Sequence, residues 1–197
     1  DIAQGPDAPI DDKRGLGGVI PFIKVVGAAA EEGRSLDEIV ELANKFNEGI
    51  ATLSVALKVA THPQNGGEIG ALADDEMEIG MGQHGEGGGV RVPMATSKET
   101  IAMIAEPLCA KLGLQAGDKA FVMVNGCGAT TMMEMLVLFK DTVEFLKAKD
   151  IEVVANMVGE ILTVQEAAGF QLNIAKWDAE TLELWNTPCH TPAYSKV

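Results

Sequence analysis

Positive charge is scarce in this chain. Lys and Arg number 15 against 29 Asp and Glu, a net charge of −14. That argues against nucleic-acid binding through a basic face and against docking on anionic lipid, and it leaves any anionic ligand dependent on local donors. Cysteine is also sparse: Cys109, Cys127 and Cys189 are odd in number, far apart and without a C-x-x-C pair. This gives no disulfide framework and no zinc ribbon, and it fits a reducing compartment, so a cytoplasmic location is expected. No apolar run reaches about 18 residues without a charge or glycine, which argues against a helical membrane span. Histidine occurs three times and aromatics make up 5%. Apolar residues nevertheless reach 47% of 197 residues, enough for one domain with a packed core.

What the chain has in quantity is glycine, and it is concentrated. Six glycines fall between Gly80 and Gly89 in the stretch D-D-E-M-E-I-G-M-G-Q-H-G-E-G-G-G-V, Asp74 to Val90, with His84 in the middle. Glycine lets the backbone approach a small ligand closely. An imidazole carried on such a loop can act as a nucleophile or proton carrier. Asp75, Glu76, Glu78 and Glu86 crowd the same segment and can orient the ring. A metal site on Glu76, Glu78, His84 and Glu86 would rest on a single histidine, so no metal is expected.

The remaining elements follow from spacing. Residues 1–13 read as a linker or tail, and the start at Asp1 as a cut inside a longer polypeptide. Arg14 to Ala30 has near-helical apolar spacing, with Pro21 kinking or opening the helix. Ser35 and Glu38 form a capping box for a helix ending near Gly49. Leu53–Val59, Met77–Met81, Ala120–Val124, Ile151–Val158 and Phe170–Ala175 read as strands. Ser97 is expected to cap a helix running to Lys111 despite Pro107, and Asp178 to cap Ala179–Trp185. A short helix is predicted over Thr163–Ala168. The pattern predicts an α/β protein, a two-layer mixed sheet of about five or six strands with helices mainly on one face.

A second glycine loop, Asn125-Gly126-Cys127-Gly128-Ala129-Thr130, joins a strand to the long helix Thr131–Lys149. Free N–H groups at a helix start make Asn125, Gly126 and Gly128 a candidate anion or partner loop. It lacks the lysine of a nucleotide P-loop, and a tight strand-to-helix connection explains the same residues. Met132, Met133, Met135, Leu136, Phe139, Val143 and Leu146 predict a wide buried stripe on that helix. Cys189 and His190 are neighbours in an extended tail and so point to opposite sides, which argues against a catalytic dyad.

The glycine–histidine stretch resembles the segment E-x-G-x-G-I-H-G-E-P-G of dihydroxyacetone kinases. R-G-L-G-G, K-V-V-G-A-A-A-E-E-G, L-A-D-D-E, V-N-G-C-G-A-T and T-P-C-H-T-P-A resemble the same family in the same order, over almost the whole chain. The resemblance implies that residues 14–197 are the C-terminal subdomain of a dihydroxyacetone-binding domain, with the N-terminal half missing. It implies that His84 holds dihydroxyacetone as a covalent hemiaminal, with Glu78, Gly82, Gly85 and Glu86 supporting the loop. Gly87 stands where the family has proline. The family's G-H-E-P-type motif and its aspartate base are not in this chain. The resemblance implies that ATP or ADP is not bound here: the donor is either an ADP-binding kinase subunit recharged by a phosphocarrier of the sugar phosphotransferase system, which is the favoured type, or a fused C-terminal ATP domain. A homo-oligomer is expected. The alternative it leaves open is a non-catalytic paralogue that senses dihydroxyacetone and co-activates a transcription regulator.

Overall fold

A computed structural model describes residues 1–83, 86, 89–192 and 194–197. Its six main strands are β1 (Ile50–Lys58), β2 (Glu76–Ile79), β3 (Val90–Pro93), β4 (Lys119–Gly126), β5 (Glu152–Gly159) and β6 (Ala168–Lys176). They lie in the order β3-β2-β1-β6-β4-β5. β4 and β5 are parallel and every other pair is antiparallel, so the sheet is mixed as the sequence predicts. The parallel pair needs a crossover, and the helix α4 (Met132–Ala148) supplies it. The other helices are α1 (Val19–Glu31), α2 (Leu36–Glu48), α3 (Ser97–Lys111) and α5 (Ala179–Asn186).

The helices do not lie mainly on one face. Ala120, Val122 and Val124 of β4 pack with Ile101, Ile104 and Leu108 of α3 and Met135 and Leu146 of α4. Phe121 and Met123, on the opposite side of the same strand, pack with Val25 of α1, Phe46 of α2 and Trp185 of α5. A strand whose alternate residues are all apolar has two faces to bury, and each needs its own cover. Burying each large side chain of this kind contributes about 1.5–3 kcal/mol. On the α1/α2/α5 side an aromatic group anchors the packing: Phe121 stacks on Trp177 at 4.4 Å between ring centres, and Trp185 meets Phe121 edge-on at 5.0 Å.

Helix starts are locally encoded. Ser35–Glu38, Thr96–Glu99 and Thr131–Glu134 each form a reciprocal capping box. The cap of α3 is therefore Thr96 and not Ser97, whose hydroxyl instead donates to Asp141 at 2.6 Å. Pro21 falls in the first turn of α1, where its missing N–H costs nothing.

Three further expectations are corrected. Thr163–Ala168 is not helical: Val164 N–H donates to the Cys127 carbonyl at 2.7 Å and Ala129 N–H to the Ala167 carbonyl at 3.0 Å, so the segment is tied alongside the second glycine loop. On α4, Met135, Leu138 and Leu146 are buried, whereas Met132, Met133 and Leu136 are exposed. The tail folds into a small ribbon of β7 (Cys189–His190) and β8 (Ser195–Lys196). Within residues 1–13 only Ile2 is buried, and its N–H donates to the Thr52 carbonyl at 3.1 Å. Among the described residues no helix is long and apolar enough to cross a membrane.

Candidate functional site

β2 and β3 form a hairpin with Ile79 opposite Val90, so residues 80–89 are its connecting loop. The loop is fixed at several points. Gly80 N–H donates to the Ser54 carbonyl on β1 at 2.8 Å, and the Ser54 hydroxyl donates to the Met81 carbonyl. Gly82 N–H donates to the Glu86 carbonyl at 2.9 Å, closing the bend. Arg14 donates to the Gly80 carbonyl at 2.6 Å while its fork grips the Asp1 carboxylate at 2.5 and 2.9 Å. Burial pushes the Arg14 guanidinium below its ordinary value, and the Glu86 carboxylate opposes that shift. Gly82 is required by close approach: a β-carbon there would run into the Glu86 carboxylate and come within 2.7 Å of Arg14 Nη1.

His84 and Gly85 lie outside the described residues. Of the other loop residues singled out from the sequence, Glu78 is buried on β2, with Arg91 Nε of β3 at 3.5 Å from its carboxylate. It also packs against Gly89, where a β-carbon would approach Glu78 Oε1 to 2.9 Å. Glu86 is exposed. Among the described residues no group of three or more His, Cys, Asp and Glu is placed to hold a metal.

Beside the loop is a narrow cleft, open to solvent at its mouth, with a cavity volume of about 30 Å³. Ser54, Lys58, Met81, Gln83, Cys127 and Gln171 are among its walls. The sheet turns polar at this end. Thr52 and Ser54 of β1 and Gln171 and Asn173 of β6 are all buried on the face that, further along, carries the aromatics. Burial pushes the Cys127 thiol up to about 12, and the nearby Glu160 carboxylate adds to the shift, so this cysteine is a neutral wall residue and not a thiolate nucleophile.

The second glycine loop is filled from within. Asn125 is fully buried, accepts the N–H groups of Ile161 and Leu162 at 2.9 and 2.8 Å, and donates to the Leu162 carbonyl at 2.7 Å. This places Glu160 over Gly126, with its carboxylate near the N–H groups of Gly128 and Thr130. Gly128 has φ +133°, and a β-carbon there would run into the Gln165 carbonyl. Thr130 Oγ1 exchanges hydrogen bonds with Gly169 at 2.6 and 2.9 Å. The chain's own carboxylate thus stands beside the N–H groups of this loop.

Sequence reasoning passed over Arg14, Ser54, Gln83, Gln171 and Glu160 as site residues. Arg14 was within reach, because it heads the R-G-L-G-G run. Ser54 and Gln171 are polar residues at buried strand positions, a signal visible once the strands are drawn. Glu160 carried no local signal.

The Dak1 domain profile matches residues 1–193. The chain belongs to the Dak1 domain family. It is 37% identical over 195 residues to the dihydroxyacetone-binding subunit of Listeria innocua PTS-dependent dihydroxyacetone kinase 1, covering 98% of this chain and 59% of that protein. Against the corresponding subunit of the Escherichia coli PEP-dependent dihydroxyacetone kinase it is 32% identical, over 98% of this chain and 61% of that one. Among solved structures, the dihydroxyacetone kinase operon co-activator Dha-DhaQ superposes with a TM-score of 0.84 at 31% identity, covering 89% of this chain and 55% of the co-activator. This Dak1 chain therefore spans somewhat over half the length of the dihydroxyacetone-binding subunits it matches.

Proposed function

We propose that this Dak1 chain is the histidine-bearing part of a dihydroxyacetone-binding kinase subunit. Its His84 would capture dihydroxyacetone as a hemiaminal for phosphoryl transfer to the ketone's hydroxyl. The observation that carries the reading is the mounting of loop 80–89: Arg14, Ser54 and the Gly82–Glu86 bond hold it beside a largely apolar cleft into which Ser54, Lys58, Gln83 and Gln171 bring polar groups. A neutral imidazole nitrogen adds to the carbonyl carbon. The C=O π pair moves to oxygen, which takes up a proton, and the ring's other nitrogen gives one up, so the step is a balanced addition. Only carbonyl compounds form this bond, so glycerol is rejected on chemical grounds. The tether also fixes the hydroxyl to be phosphorylated. Glu78, just before the loop, and Glu86, within it, would orient the ring. The phosphoryl group would come from a separate ADP-carrying subunit recharged by a phosphocarrier, and the remaining acid–base groups from the part of the domain that relatives carry and this chain does not. The protein would act as a homo-oligomer.

The test is an adduct measurement. Incubation with dihydroxyacetone should add the mass of one ketone, mapped to His84, with no addition from glycerol and none in His84→Ala. An adduct at another residue, or equal binding by His84→Ala, would overturn the reading.

A second reading is favoured by the likeness to the operon co-activator: a sensor that binds the ketone without turning it over. Supplying the ADP-carrying subunit and a phosphorylated carrier separates the two. Formation of dihydroxyacetone phosphate identifies the enzyme, and a stable adduct without product identifies the sensor.

A further inference from the structure

Gln171 is 1% exposed and sits on β6, the strand between β1 and β4. Both ends of its side-chain amide are used. Its Oε1 accepts the N–H of Gly17 at 2.7 Å, just before α1, and its Nε2 donates to Oε1 of Gln83. Gly17 is close because it has no side chain: a β-carbon there would stand 2.8 Å from Gln171 Oε1. Gln83 is the residue immediately before His84.

The directions of these bonds are fixed by chemistry. A backbone N–H can only donate, so the atom of Gln171 facing Gly17 must be the oxygen. The nitrogen then faces Gln83, which must answer with its own oxygen. Flipping the Gln83 amide would set two N–H groups against each other. The arrangement holds although it leaves Gln83 Nε2 buried without a partner among the described residues. At this position the kinase pattern quoted above has isoleucine, which could not take part in such a relay.

We infer that Gln171 is a positioning residue for the histidine loop, acting through Gln83. One buried amide ties the start of α1, the central strand β6 and the residue next to His84, and so sets where the imidazole is offered to the ketone. The inference rests on His84 being the capturing group, and it deepens that reading by naming what aims it.

Gln83→Met breaks the link and leaves the Gly17–Gln171 bond intact. Gln83→Glu keeps an acceptor for Gln171 and removes the stranded N–H. Two readouts are taken: hydrogen exchange of the 79–91 peptide without ligand, and the dihydroxyacetone concentration that half-saturates the His84 adduct. In Gln83→Met, exchange should quicken and half-saturation should rise, each by roughly three- to tenfold, the worth of one hydrogen bond, with the melting temperature little changed. In Gln83→Glu, exchange should stay at the wild-type rate. Wild-type exchange in Gln83→Met would overturn the inference. So would equal disturbance in Met and Glu together with a lowered melting temperature, because that would mark a purely structural role. If the wild-type protein forms no adduct, the proposed function falls, and the exchange comparison alone then decides whether Gln171 holds the loop.

Discussion

The Glu160 carboxylate lies against Gly126, in the space a side chain at residue 126 would need. A methyl group there must displace it. Gly126→Ala is expected to cost less than about 1 kcal/mol, read from urea unfolding, because the Glu160 carboxylate is the exposed end of a flexible side chain and can swing aside.

The same carboxylate gives a pH signature. Partial burial raises the Glu160 carboxyl above its ordinary value, outweighing the opposing N–H groups of Gly128 and Thr130. As pH rises from below the ordinary carboxylate range, the unfolded chain gives up this proton before the folded one does. Between the two values the folded state binds more protons, so stability falls as pH rises through that window and is greatest below it. Glu160→Gln should remove this slope while its amide oxygen still accepts from the loop. Unfolding midpoints of the two proteins, measured across the window, should therefore converge at low pH and separate above it.

Asp178 carries the opposite sign. Burial alone would raise its carboxyl, but the Lys45 ammonium at 2.5 Å and the Thr181 N–H at 2.9 Å outweigh it and hold the group at about 2. Its contribution is present above the ordinary aspartate value and is lost as pH falls towards about 2. Both partners of the ion pair are roughly half exposed, so solvent screens it. The cap on α5 remains: Asp178→Ala should cost about 1 kcal/mol at neutral pH and progressively less in acid, by chemical denaturation.

Arg14 joins two carbonyls of the histidine loop to the start of the chain. Arg14→Lys keeps the charge but loses the planar fork. Adduct formation at His84 should weaken by roughly tenfold in Arg14→Ala and recover only in part in Arg14→Lys, with mass spectrometry as the readout.

Gly169 has φ +155°, at the irregularity where β6 passes Ala56 and Lys58 of β1. A β-carbon would run into the Val55 carbonyl across the strand pair. Gly169→Ala combines a strained backbone with this clash, and should lower stability by at least about 2 kcal/mol in thermal unfolding.

Much of the fold was legible because it is local. The Ser35–Glu38 box, the apolar runs of β1, β4 and β6, and the Asp178 cap can be read within a few residues. β3 was missed because Val-Arg-Val-Pro is short and three of its four residues are exposed, so it exists only by pairing with β2. The Thr163–Ala168 helix failed for the same kind of reason: its backbone groups are taken by Cys127 and Ala129, far away in sequence. The two-faced cover of the sheet was implicit in A-F-V-M-V, but which helix takes which face depends on connections that periodicity does not encode. At the site, the glycine-rich bend announced itself. Its supports did not, because Arg14, Ser54 and Gln171 come from three distant stretches whose convergence only the sheet creates.

β6 is made after every strand it lies among. β1–β2–β3 on one side and β4–β5 on the other share no strand pair with each other, so residues 168–176 form the seam between two half-sheets. The histidine loop hangs from one half and the Glu160 loop from the other, so the cleft between them exists only where β6 has joined the two.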